Sequence, residues 1–492
     1  MPLYLRFRLF LMRQLSFVVF VGLSLFLSSC YSMRKSNGGG QIGDIPARTI
    51  NPADIALPAG YKIEPVARGL TFPAAANLDA AGNLYVIEAG YSYGEVFRNP
   101  KLVRINSDGS QTTVLEGTNN GPWNCLVFHE GYFYISEGGE LEGGRIFRVK
   151  PDGSDKKILV EGLPSLGDHH TDNLVVKDGY IYFGQGTATN SGVVGPDNYN
   201  FGWLKRHPDF HDIPCRDITL VGQNYISENP LTENENDEAE TGAYLPFGTK
   251  STAGQVIKGR VPCTGAVMRI PLNGGAPEAV AWGFRNPYGM ALAPDGRIYV
   301  SENGYDDRGS RPAWGTGDVL WELKQDTWYG WPDHSGGKKI AGWHVPGKGS
   351  VKPVIKDYPN TPPKPVAVFG VHASSNGMDF STSDAFGYKG ELFVAEFGDM
   401  APTVGKVLNP VGFKVIRANV GTGVLEDFAV NKSRKNAPAS KLKKGGLERP
   451  LSVKFSRDGK ALYIADFGIV KMTKKGPQPQ EGTGVIWKIT RQ

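Results

Sequence analysis

Residues 167–173 read GDHHTDN: two adjacent histidines among aspartates, a threonine and an asparagine. Histidine is scarce in this chain, eight in 492 residues, and nothing near the pair has a zinc-ligand spacing. An imidazole with its ordinary pKa near 6.5 accepts a proton at neutral pH, and an adjacent carboxylate favours the imidazolium so formed. A loop histidine also commonly does no more than satisfy a turn, so the segment poses a choice between a working base and a turn residue. Two further stretches concentrate polar groups in the same way. Residues 282–307 read WGFRNPYGMALAPDGRIYVSENGYDD and carry Arg285; residues 446–459 read GLERPLSVKFSRDG and carry Arg449. A guanidinium grips anionic oxygens in a fork, though a lone loop arginine is often just a solvated or capping group. His169, Arg285 and Arg449 lie far apart in the chain. They can act together only if the fold brings their loops to one place.

A recurring pattern supplies that fold. AAGNLYVIEAG, HEGYFYISEGG, KDGYIYFGQGT, PDGRIYVSENG, YKGELFVAEFG and RDGKALYIADFG share a turn pair, a strand with an aromatic, and a glycine-rich or acidic exit. The aromatics are Tyr85, Tyr134, Tyr182, Tyr299, Phe393 and Tyr463. A turn of the Asp-Gly kind between alternating apolar residues is a strong hairpin signal. Some repeats are followed by a second hairpin, as in KLVRINSDGSQTTVLEG, GRIFRVKPDGSDKKILVEG and GAVMRIPLNGGAPEAVAWG. Paired hairpins at a spacing of ~40–50 residues are the signature of propeller blades. Six occurrences predict an all-β, six-bladed β-propeller, and a β-sandwich or two β domains would not explain one motif recurring six times. No segment after residue 30 shows a sustained, capped helical period. Residues 188–262 and 305–375 exceed what a blade needs. Their aromatics (Tyr199, Phe201, Trp203, Trp314, Trp328, Trp331) predict ordered long loop insertions walling a pocket at one mouth. The three polar loops each adjoin a repeat strand, so a propeller would turn them toward its central channel.

Composition bounds the rest. Gly 64 and Pro 34, with 11% aromatic and 21% charged residues, describe a turn-rich folded chain. Three of the five net positive charges, Arg6, Arg8 and Arg13, fall in the first 29 residues, which contain no acid. The remainder has no basic run, so nucleic acid is not an expected partner. The basic start, the apolar run SFVVFVGLSLFL at 16–27 and the sequence LSSC ending at Cys30 resemble a bacterial lipoprotein signal. The expected organisation is a lipoprotein signal peptide over 1–29, lipidation at Cys30, a flexible tether over 30–50 and a propeller over 51–492. The expected location is the bacterial cell envelope, lipid-anchored to a membrane and facing the periplasm; an ordinary signal peptide is the competing reading. Of the remaining cysteines, Cys215 and Cys263 share an irregular stretch where a disulfide would staple it, and Cys125 sits in an apolar run as a buried thiol.

The stretch WGFRNPYGMALAPDGRIYVSENG, followed by GDVLW and YGWP, resembles the sorbosone/aldose-sugar dehydrogenase family, propellers similar to soluble quinoprotein glucose dehydrogenase. The loop GDHHTDNL resembles that family's histidine loop, in which the histidine stands five residues before a strand leucine. The resemblance implies a six-bladed propeller holding pyrroloquinoline quinone (PQQ) and calcium, and oxidation of a sugar hydroxyl or aldehyde. Counting back from Leu174, it makes His169 the general base, with Asp168 orienting the imidazole. It assigns Arg285 and Asn286 to the quinone oxygens, the Gly304 and Tyr305 carbonyls to calcium, and Arg449 and Lys406 to cofactor carboxylates. A respiratory electron acceptor, a cytochrome or quinone, would be the partner. The chain departs from the glucose-oxidising members: GPWNCLV stands at 121–127 where they carry Gln-Gly-Gly-Leu-Leu, and Thr187 stands where they carry an acid. These departures leave the sugar open. Two other readings stay open at this point: a non-catalytic propeller that binds glycans or a protein, and a calcium-dependent hydrolase of the lactonase type.

Overall fold

The computed structural model describes residues 47–92, 96–311, 313, 317–345, 349–400, 409–473 and 476–492. The signal segment, Cys30, Trp314 and Lys406 therefore lie outside the described residues. Among the described residues, six sheets of at least four strands, antiparallel but for one outer strand, carry the chain, and their innermost strands touch in a closed ring. Those strands are Pro73–Leu78, Trp123–His129, Thr171–Lys177, Asn286–Leu292, Ser375–Phe380 and Pro450–Phe455. Blades 1 to 6 are numbered in that order. This is the expected six-bladed β-propeller, and all six repeat aromatics fall on the second strand of a blade.

Hairpin chemistry builds the blades. In blade 3, Asp178 (φ 50°) and Gly179 (φ 77°) turn between the first two strands; a left-handed pair matches the strands' own twist. Large apolar side chains from facing sheets fill the space between blades; Phe393, Val415, Phe455, Ile464 and Trp487 form one such layer between blades 5 and 6. The acidic exits of the repeats have a structural job. Glu88 accepts from the Thr71 N–H, Glu302 from the Arg285 N–H and Trp321 Nε1, and Asp466 from the Arg449 N–H and Trp487 Nε1. Each carboxylate thus ties down the loop that enters its own blade, satisfying buried donors that no strand can reach.

Every innermost strand slips register against its neighbour just after it begins. The ladder skips Ala74, Asn124, Asp172–Asn173, Tyr288, Asn376–Gly377 and Leu451. Such bulges free side chains from the alternation of the sheet and re-aim them. Blade 6 closes the circle with chain from both ends: Tyr61–Leu70 pairs with Gly484–Arg491. Ile55–Ala56 adds a short fifth strand to blade 5.

The two insertions leave different blades. The first leaves blade 3 between its second and third strands and contains the short helices Pro196–Asn200 and Trp203–Arg206 and the disulfide Cys215–Cys263. Cys125 is free and buried. The second arises from blade 4, and its Thr327–Trp328 pairs in parallel with the outer edge of blade 3. Among the described residues, no helix is long and apolar enough to cross a membrane.

Candidate active site

The mouth onto which the inner strands open holds a cavity of about 190 Å³ to which all six blades contribute. His169 and Asp168 are buried in its wall. Their loop is clamped to the exit of the next strand of blade 3: the Asp168 and His169 N–H groups donate to the carbonyls of Ala188 and Thr187. The ring of His169 is set by Thr187. Its Nδ1 lies 3.1 Å from the Thr187 carbonyl oxygen, which can only accept, so Nδ1 carries the hydrogen. Thr187 Oγ1, at 3.0 Å from Nδ1, spends its own hydrogen on the Thr189 carbonyl. The lone pair is left on Nε2, with Asp168 Oδ2 3.8 Å away. Orientation of the imidazole therefore comes from Thr187, while Asp168 supplies negative charge on the side where a proton would arrive. Gly186 makes this packing possible, because a Cβ there would stand 2.2 Å from His169 Cβ and 3.0 Å from Asn286 Oδ1.

Charge around the pair is balanced by arginines. Arg308 binds Asp168 directly, and Arg285 Nη2 lies 3.8 Å from the same carboxylate. Arg285 also contacts Asp306 at 2.9 Å and Asn190 Oδ1 at 2.8 Å. Burial alone would raise the Asp168 pKa, but Arg308, His169 and Arg285 outweigh it and hold the carboxyl well below the usual range. Burial pushes the His169 imidazole down to about 3, against the opposing pull of Asp168. The imidazole is therefore neutral, with its Nε2 lone pair unprotonated, across the ordinary pH range.

Asn286 lines the cavity beside Arg285; its amide nitrogen donates to Asn303 Oδ1, and its own Oδ1 is buried without a partner. Gly304 also lines the cavity, with its N–H held by Asp318 at 2.9 Å. Tyr305 follows but faces a smaller adjoining space, and its hydroxyl donates to the His334 carbonyl. Arg449 is fully buried behind the wall. Its guanidinium donates to the carbonyls of Phe397, Gly398 and Asp399 and lies over the rings of Phe397 and Phe413. Leu451, from the same loop, reaches the cavity instead. His170 lines the cavity too, with Nε2 3.2 Å from Glu140, which also accepts from Trp203 Nε1 and Arg206 of the first insertion.

The structure thus gathers His169, Asp168, Arg285, Asn286 and Gly304 into one cavity and sets Tyr305 and Arg449 beside it. Residues not singled out in the sequence join them: Asp306 and Arg308 from the second insertion, His372 with Nδ1 3.6 Å from Asp306, and Asp172. His372 had a usable signal, since it precedes the inner strand of blade 5 as His169 precedes that of blade 3. Among the described residues, no three His, Cys, Asp or Glu side chains are grouped to hold a metal. A cation here would rest on main-chain and amide oxygens, the donor chemistry calcium takes. The unpartnered Asn286 Oδ1 is such an oxygen. Apolar and aromatic walls (Phe397, Phe467, Tyr288, Leu451) alternate with amides, a lining suited to a flat conjugated cofactor. The residues present fit both groups.

Residues 249–402 match the family model described as Glucose / Sorbosone dehydrogenase. No curated protein matches the chain. Among solved structures, a Trichoderma reesei carbohydrate-active enzyme of family AA12 is similar at 14% identity and a TM-score of 0.55, covering 92% of this chain and all of the other. The PQQ domain of pyranose dehydrogenase from Coprinopsis cinerea, in its holo form, is similar at 15% identity and a TM-score of 0.51, covering 91% and 98%. At such identities the likeness establishes the propeller fold; the family match is what points to an oxidoreductase.

Proposed function

We propose that this chain, which carries a glucose/sorbosone dehydrogenase domain across residues 249–402, is a PQQ- and calcium-dependent dehydrogenase of a sugar or sugar aldehyde. The observation that carries the reading is the His169 imidazole: buried, neutral, fixed with Nε2 as its lone-pair nitrogen, and set in a cavity that it shares with Arg285, Asn286 and Gly304 of the family-matched segment. PQQ held with calcium would supply an electron-poor quinone that takes the hydride from the substrate carbon. The protein's part is the proton. Nε2 of His169 accepts it from the substrate hydroxyl, and Asp168, 3.8 Å away and ionised, stabilises the imidazolium that forms. Thr187 keeps Nδ1–H engaged, so the ring cannot present the wrong nitrogen. Asn286 and the Gly304 main chain would hold the cofactor and cation, and Arg285 lies next to Asn286 to offset negative charge gained on reduction. Lys406 remains a candidate for a cofactor carboxylate, whereas the Arg449 guanidinium is taken up by the carbonyls of Phe397, Gly398 and Asp399.

Electrons would leave to a respiratory acceptor in the envelope, where the Cys30 anchor would keep the protein on a membrane. The test is reconstitution of purified apoprotein with PQQ and calcium. Stoichiometric binding and bleaching of the quinone absorbance by an aldose or sugar aldehyde are expected. Absence of binding at micromolar PQQ sinks the reading, and lactone hydrolysis without bleaching would move the chain to a hydrolase class.

A further inference from the structure

The six register slips at the starts of the inner strands have one outcome in common. Ala74, Asn124, Asp172, Tyr288, Asn376 and Leu451, one bulge residue from each blade, all line the cavity. Because blades follow one another around the axis, these residues form a ring, one step further along the strands than His169 and Arg285. Its arc on blades 2 to 5 is polar, and its arc on blades 6 and 1, Leu451 and Ala74, is apolar.

Asp172 is the odd member. Its side chain is 2% exposed; Oδ1 meets only the Asn124 amide, at 3.3 Å, and Oδ2 is buried with no hydrogen-bond partner. The other cavity aspartates are answered. Arginines pair with Asp168 and Asp306, and the N–H groups of Gly304 and Ser375 donate to Asp318. The titratable groups whose charge senses Asp172 are Tyr288 and Cys125, both uncharged at neutral pH and both pushed up, chiefly by burial. No cation is paired with Asp172 among the described residues. Burial without compensation pushes its carboxyl well above the usual range, which favours the un-ionised form, the form that carries a hydrogen to donate.

An unanswered carboxyl is a poor structural element but a good ligand group. An ionised aspartate would repel an anion, whereas an un-ionised one donates an O–H to it. We propose that Asp172 is a binding residue for the flat, anionic cofactor, donating a hydrogen bond to one of its oxygens from the bulge of blade 3. This rests on the functional reading given above, and it adds a residue for which the resemblance gives no role.

The test measures equilibrium binding of PQQ, with calcium, by its absorbance and by protein fluorescence, without substrate or turnover. Benzene-1,3,5-tricarboxylate serves as a second, redox-inert flat anion. Asp172→Ala is expected to weaken PQQ binding by ~10–100-fold, as loss of a hydrogen bond to a charged group does. Asp172→Asn, which keeps a donor of the same shape, is expected to stay within ~3-fold of wild type. Both apoproteins are expected to melt no lower than wild type, because the side chain has almost no partner to lose. Unchanged or tighter binding by Asp172→Ala overturns the proposal, as does Asp172→Asn binding as weakly as Asp172→Ala. A lower melting temperature in both variants would overturn it in favour of a structural role. The functional reading fails separately. If sugar never bleaches bound PQQ while the inert tricarboxylate still binds in an Asp172-dependent way, the dehydrogenase reading falls and this one stands.

Discussion

At the scale of single residues, the two histidines of GDHHTDN have different work, and the difference is set by their partners. His169 points its committed nitrogen at Thr187 and keeps Nε2 open; His170 is tied through Glu140 to Trp203 and Arg206 of the first insertion. His169→Ala is expected to retain PQQ and to lose about 10²–10⁴-fold in kcat, the usual worth of a general base, while His170→Ala keeps most activity. Reversed behaviour in steady-state assays would assign the base to His170. The pH profile carries an independent sign. The His169 pKa lies near 3 in the folded protein, below the ordinary 6.5, so the imidazole does not titrate between those values. The unfolded chain binds the extra proton in that window, so the stability His169 contributes is full above 6.5 and is lost as pH falls toward 3. Initial rates of cofactor bleaching are expected to stay level from pH 8 to pH 5. A fall centred near 6.5 would mean an ordinary, solvated imidazole.

At the scale of elements, blades were legible and bulges were not. A hairpin leaves residues of a recognisable type at fixed offsets, and the six aromatics marked six second strands. A bulge is a matter of pairing register, and the ring positions share no residue type: alanine, asparagine, aspartate, tyrosine, asparagine and leucine. Equivalence of loops around the ring did place His169 and Arg285 in one cavity. The same rule placed Arg449 near it without foreseeing that the carbonyls of 397–399 would take up its guanidinium. Asp306 and Arg308 escaped notice because their segment, YDDRG, read as extra wall rather than as the partner of Asp168. The first insertion matters to the site through its anchorage. Asp212, three residues before the disulfide, accepts from the Ala188 N–H and from the hydroxyls of Thr189 and Thr264, directly behind Thr187. Replacing Cys215 and Cys263 by serine opens a loop with a sequence separation of 48, for which chain entropy suggests a loss of about 4 kcal/mol. Denaturant unfolding of the double variant is expected to show that loss, and a change under ~0.5 kcal/mol would show that hydrogen bonds alone hold the insertion.

At the scale of the whole molecule, the propeller and the proposed anchorage at Cys30 are separable by experiment. Cys30→Ala is expected to move the protein from the membrane pellet to the soluble envelope fraction with its dehydrogenase activity intact; retention in the pellet would remove the lipid anchor from the account. The ring itself has a consequence in time. Tyr61–Leu70 is among the first strands to be made, yet its partner Gly484–Arg491 is the last. Until that last strand is made, the early one is an unpaired edge, a template for wrong pairing with other chains. Ring closure also waits on the longest loop the chain can form, which is slow. The cavity, to which all six blades contribute, cannot form before the strands of blade 6 are made.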